Sequence, residues 1–306
     1  MKIEYDNTNR EYIRCLDDEE RKKIAASWTR KDTLDYWRHH RMLSPIKPFI
    51  SDQTTWLTIG DGRYGTDANY ILSNGGTAHA SDLSDILLRI GSETGFITHY
   101  SKQNAECLSF NNDTFDYVLI KEALHHCPRP WLALYEAFRV CRKAVVLIEP
   151  NDDWSHLRTP LGSLKNVAGA SKRIIKLLLG RPVAKDYISH GFEPVGNYLY
   201  RFNKIELEKF LLGMHRTCLA THELNDAYQE GGEFVSMNSP SPEDYRVIKR
   251  LKSTIHRADV MHRAGLTSCN ILIASLFKEN PSSELLSALQ ANGWQIKGLP
   301  NNPYRR

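Results

Sequence analysis

Residues 56–82 read WLTIGDGRYGTDANYILSNGGTAHASD. An apolar run at 56–59 is short enough for a buried strand. It leads into Gly60-Asp61-Gly62-Arg63-Tyr64-Gly65, a G-x-G-x-x-G turn, and then into a helical stretch over 66–72. A second strand, 77–81, ends on Asp82. Strand, glycine turn, helix, strand and acid is the order of a nucleotide-binding βαβ unit. The glycines let backbone approach a ligand and leave amides at a helix N-terminus, and a carboxylate closing the second strand can accept from two ribose hydroxyls.

The alternation continues downstream. Residues 84–90 predict a helix that Gly95 breaks, 96–100 a third strand, 115–120 a fourth and 144–148 a fifth, with a helical segment over 131–140. Short apolar strands separated by helices imply a parallel, doubly wound sheet. Strands six and seven are expected over 218–224 and 270–277, with helices over 204–214, 242–264 and 283–292 and a polar tail behind the last.

Upstream, residues 17–42 carry a helical pattern with acid at its start, and Pro45 and Pro48 end it. An aromatic wall from this helix, Trp37 above all, is expected either to pack on the main domain or to cap the ligand cleft. After Pro150 the alternation stops. Residues 156–185 contain seven Lys or Arg and no acid, and 171–179 read as a basic amphipathic helix. That segment is either a solvated face or a lid whose Lys172 and Arg173 attract an anionic substrate. Tyr198 and Tyr200 share one face of an extended stretch, under the lid or lining the acceptor cleft.

With 306 residues, 41% hydrophobic and 25% charged, the chain suits one elaborated α/β domain. A net charge of +4 is too small to imply nucleic acid, and no apolar run reaches the ~20 residues of a membrane span. The start is polar and mixed in charge, so no signal peptide is expected. Six scattered cysteines without a C-x-x-C pair fit a reduced, cytoplasmic setting.

Residues 56–151 resemble the core of a class I S-adenosylmethionine-dependent methyltransferase of the methyltransferase-11 type. The resemblance rests on the glycine turn, on Asp82, on Asn104-Ala105-Glu106-x-Leu-x-Phe110, and on FDYVLIKEALHH followed by RVCRKAVVLIEP. One departure is that the acid the family carries two residues before the first glycine is Thr58 here, with Asp61 between the glycines.

The resemblance implies a Rossmann-like, seven-stranded, mostly parallel sheet. Its parts would be an N-terminal helical cap (1–50), a cofactor core (51–151), a lid or substrate insertion (152–203), the rest of the sheet with a helical insertion (204–278), and a C-terminal helix and tail (279–306). It implies S-adenosylmethionine as cofactor. Gly60 and Gly62 would let the backbone approach its methionine end, with Asp61 and Gly65 in the same cofactor-binding turn, and Asp82 would bind its ribose. Leu83, Asn104 and Ala105 would meet the adenine, and Lys121 and Glu122 would lie near the sulfonium. The acceptor is expected to be a small molecule, with a hydroxyl of a sugar, polysaccharide precursor or secondary metabolite leading. The basic segment is compatible with a phosphorylated or nucleotide-linked acceptor, and a homo-oligomer is compatible too.

An oxygen acceptor benefits from a positioned base, and His125, His126 and His156 are the candidates. Glu149, Asn151, Asp152 and Asp153 are hard oxygen ligands that a strand-end turn explains equally well, so no metal is assigned. The alternatives are a binding module that kept the fold without activity, and a small-molecule N-methyltransferase.

Overall fold

The computed structural model describes residues 19–152 and 198–304. At its centre, β4 (Phe115–Lys121) and β7 (Ile271–Phe277) are buried at every residue. This is what a strand covered on both faces requires. Around them run β1 (Thr55–Ile59), β2 (Thr77–Asp82), β3 (His99–Lys102), β5 (Cys141–Pro150), β6 (Cys218–Leu224) and β8 (Gln295–Gly298), in the order β3-β2-β1-β4-β5-β7-β6-β8. Strands β1 to β5 pair in parallel, while β7 is antiparallel to β5 and β6, and β8 is antiparallel to β6.

Period-two alternation splits the interior into two cores. Leu57, Val118, Val145 and Leu147 face α5 (Pro130–Val140) and α6 (Lys204–Gly213), which contribute Leu134, Phe138, Leu207 and Phe210. Trp56, Tyr117, Leu119 and Val146 face the other way. There they meet α2 (Leu34–Leu43), a 3-10 turn (Ser44–Phe49), α3 (Thr66–Ser73), α4 (Ile86–Glu93) and α8 (Ser283–Ala291).

Four sequence expectations are corrected. The sheet has eight strands, not seven: β8 lies in the stretch read as a polar tail. As a short edge strand whose only covered side chain is Ile296, it carries no legible alternation. The third strand starts at His99 rather than at residue 96, because Gly95 is left-handed (φ +72°) and the Phe96 and Ile97 amides both turn back to the Gly91 carbonyl. The single helix over 17–42 is two, α1 (Glu19–Ser27) and α2. Thr33 restarts the chain by accepting from the Tyr36 amide at 3.1 Å.

The fourth correction concerns Trp37. It packs beside Leu34 on a satellite core with Val235 and with Ile248, Leu251 and Ile255 of α7 (Pro242–Arg263), and the Arg41 and Lys252 cations lie over its ring. Backbone bonds Leu34 N to Val235 O (2.9 Å) and Met237 N to Asp32 O (2.7 Å) join the same two regions. The N-terminal helix and the insertion between β6 and β7 thus form one unit, with Trp37 inside it and not in the cleft.

Candidate active site

The sheet order reverses between β1 and β4, and a cleft of about 440 Å³ opens there at the carboxyl ends of the strands. At the end of β1, Gly60 has φ +76°, and a Cβ on it would stand 2.2 Å from that of Ala123. Gly65 (φ +78°) leads into α3, where a Cβ would meet Ile97 at 2.7 Å. Gly60 and Asp61 line the cleft, while Gly62 and Gly65 shape the turn behind it.

Asp61 is buried, and its carboxylate accepts from the Asp67 amide (3.0 Å), the Ala68 amide (2.9 Å) and the Thr58 hydroxyl (2.8 Å). It therefore caps α3 from the preceding turn. Burial and the neighbouring Asp67 push its carboxyl well above the usual range, against the pull of those three donors.

At the end of β2, the buried Asp82 accepts from the Ser84 amide at 2.8 Å, which fixes the carboxylate's direction. The Gln103 amide bonds the Asp82 carbonyl at 2.8 Å, so the next loop is drawn against this strand end. There Asn104 accepts from the Glu106 amide through its side-chain oxygen (2.9 Å). Glu106 is buried and holds Arg129 at the start of α5 through the Arg129 amide (2.6 Å) and Nε (2.7 Å). Leu83, Asn104, Ala105 and Glu106 all line the cleft.

At the end of β4, Lys121 is buried with its Nζ 3.1 Å from Asp67 and 3.8 Å from Glu122. Burial pulls the ammonium down, but the two acids outweigh it and raise it overall. Glu122 is left-handed (φ +48°), unusual for a residue with a side chain. Burial raises its carboxyl, and the surrounding Lys121, His39, Arg63 and Arg38 more than reverse that, leaving it low.

His39 of α2 completes this wall. Arg63 donates to its Nε2 at 3.1 Å, which leaves the ring proton on Nδ1, 3.6 Å from Glu122 Oε2. Burial and Lys121 depress the imidazole, against the opposing pull of Asp35. Asp35 anchors the group from behind, 3.0 Å from Arg38 and 3.5 Å from both His39 and Arg63.

The last wall joins β4 to β5. Glu149, 1% exposed, accepts from the Ala123 amide (3.1 Å), the Leu124 amide (2.8 Å) and His125 Nδ1 (2.5 Å). The His125 and His126 rings lie 4.0 Å apart and both line the cleft. The Tyr200 amide donates to the His125 carbonyl at 3.1 Å. Tyr198 meets the Tyr200 ring edge-on at 5.2 Å, and neither tyrosine is on the cleft wall. His156, Lys172 and Arg173 lie outside the described residues.

No role is assigned from sequence to His39, Arg63 or Asp67 of the cleft wall, while Glu106 enters only within the family motif and Glu149 only as a metal ligand or strand-end residue. The available signals are the motif around Glu106 and, for Glu149, an acid closing an apolar strand.

A family model described as "Methyltransferase domain" matches residues 57–148. This segment is a class I S-adenosylmethionine-dependent methyltransferase domain. No curated protein matches the chain. Among solved structures, the chain is similar to an S-adenosylmethionine-dependent methyltransferase from Thermotoga maritima (14% identity, 87% of this chain and 97% of that one, TM-score 0.47). It is also similar to one from Archaeoglobus fulgidus (17% identity, 80% and 95%, TM-score 0.45).

The methyltransferase domain takes S-adenosylmethionine as cofactor, and the residues present fit that group. The space beside Gly60 excludes even a methyl, the cleft has the size of a small-molecule site, and a carboxylate closes β2. No helix among the described residues is long and apolar enough to cross a membrane.

Proposed function

We propose that this chain transfers a methyl group from S-adenosylmethionine to a hydroxyl of a small molecule, with a sugar, polysaccharide precursor or secondary metabolite as the acceptor class. The observation that carries this reading is the meeting of Gly60, Asp82 and the Lys121–Glu122 pair, from the ends of three strands, around one cleft. Asp82 takes the ribose hydroxyls and Leu83 packs on the adenine. Asn104 offers the remaining lone pair of its amide oxygen to the adenine amino group. Gly60 and Asp61 admit the methionine end, and Glu122 lies beside it with His39 and Arg63.

When bound, the cofactor supplies an activated methyl on a sulfonium, so the protein's work is alignment and exclusion of water. A hydroxyl must lose its proton as it is methylated, and the paired histidines on the cleft wall support an oxygen acceptor. The cofactor core is residues 51–151, and the N-terminal helices act with the β6–β7 insertion as one cap.

The test incubates the protein with labelled S-adenosylmethionine and metabolite or polysaccharide extracts and identifies the labelled product. An O-methylated small molecule is expected. Uptake of S-adenosylhomocysteine without any labelled product would replace this reading with a binding module, and an N-methylated product would move the acceptor to an amine.

A further inference from the structure

We propose that Glu149 is a positioning residue for methyl transfer and that its partner His125, rather than His126, receives the acceptor's proton on Nε2. The proposal rests on the methyl-transfer reading above.

A carboxylate only accepts hydrogen bonds, so the 2.5 Å contact between Glu149 Oε2 and His125 Nδ1 places the ring hydrogen on Nδ1. The neutral ring then carries its lone pair on Nε2. The negative charge on the far side favours the imidazolium that forms when this nitrogen takes a proton. Three further hydrogen bonds hold the residue still. Glu149 Oε1 ties down the two preceding amides, and the Tyr200 amide clamps the His125 carbonyl. One of those amides belongs to Ala123, the residue in contact with the Gly60 turn. A single buried carboxylate therefore fixes the base relative to the cofactor-facing backbone.

Among the described residues, the His126 ring lies 4.0 Å from that of His125, and Cys127 follows on the same turn. The Cys127 thiol is pushed up to about 12 by burial and by the acids Glu149, Glu106 and Asp82, so it does not compete as a base. In the step itself the acceptor O–H breaks and its proton goes to Nε2 of His125. The electron pair left on oxygen forms the bond to the methyl carbon, while the carbon–sulfur pair stays on sulfur. The imidazolium then returns its proton to water.

The test is imidazole ¹⁵N–¹H correlation on ¹⁵N-histidine-labelled protein, alongside label transfer from S-adenosylmethionine into extract. His125 is expected with hydrogen on Nδ1 in the neutral form. Glu149→Gln should lower the His125 titration midpoint by about one unit. His125→Gln, which leaves both amide bonds to Glu149 intact, should reduce label transfer by at least ~100-fold more than His126→Gln.

A His125 tautomer with hydrogen on Nε2, a midpoint unmoved in Glu149→Gln, or the reverse ranking of the two glutamine variants would overturn the proposal. Calorimetry with S-adenosylhomocysteine keeps the two readings apart. No uptake by the wild type overturns the methyl-transfer reading and this proposal with it, whereas normal uptake beside an Nε2–H tautomer overturns this proposal alone.

Discussion

Gly60 approaches Ala123 so closely that no side chain fits between the ends of β1 and β4. Gly60→Ala adds a methyl where 2.2 Å is available and asks an L-residue to hold φ +76°. Overpacking and backbone strain together should remove about 3 kcal/mol of stability in urea titration. Affinity for S-adenosylhomocysteine should fall at least ~10-fold as the strand ends part. Gly75→Ala is the control: it has φ +90° but open space around it, so only the strain, about 1 kcal/mol, should appear. Equal losses at the two positions would show that packing at Gly60 is irrelevant.

Asp61 holds two amides of α3 and the Thr58 hydroxyl at once. Asp61→Ala should therefore lower stability by about 2 kcal/mol, with Asp61→Asn closer to the wild type because it keeps an acceptor. Thermal melts of the two variants check this order. The same contacts explain how a threonine can stand where the resemblance leads one to expect an acid, since Asp61 supplies a carboxylate from one turn later.

Asp82→Ala separates binding from folding. Its carboxylate accepts from the Ser84 amide, a contact local to the strand end, so the melting temperature should move by only a few degrees. Loss of charge-assisted bonds to two ribose hydroxyls should weaken S-adenosylhomocysteine binding by roughly 100-fold in calorimetry. Unchanged uptake would remove the basis of the cofactor assignment.

Acid should weaken the start of the sheet. Burial raises the Asp116 carboxyl, but the Thr55 amide, Arg142, the Thr55 hydroxyl and Lys143 more than offset it and hold it at about 2, below the ordinary 3.8. The folded state therefore gains from this group above pH 3.8 and loses that gain as pH falls through about 2. With Arg142 and Lys143 well exposed, the contribution is about 1 kcal/mol. Asp116→Asn should lower stability by that amount at pH 7 and flatten its decline between pH 4 and pH 2. Parallel curves for variant and wild type would assign the acid limb to other groups.

The parts of this fold that were legible in sequence are those whose side-chain pattern follows backbone period. Strand β6 spans the residues expected of it, Cys218–Leu224, and α7 begins at a Ser241–Asp244 capping box with Pro242 in its first turn. The parts that were not legible depend on partners far along the chain. Nothing near Trp37 says that its ring faces Ile248 and Leu251, whereas two positions later His39 turns into the cleft. One helix has two buried sides there, so aromatic content alone misdirects. Asp67 and Glu106 find their partners only through the fold, Lys121 from the end of β4 and Arg129 from the start of α5.

The Trp294 indole N–H donates to the Pro45 carbonyl at 2.9 Å, and its ring packs on Phe49. On the ribosome, every cofactor-facing residue is made long before this tryptophan. Until it emerges, the shelf that carries α2 lacks its fastener, and His39 lacks a fixed perch. Synthesis order thus delays a finished cleft past the completion of its conspicuous motif, and a nascent chain halted near residue 280 should hold the glycine turn yet grip the adenosyl group poorly.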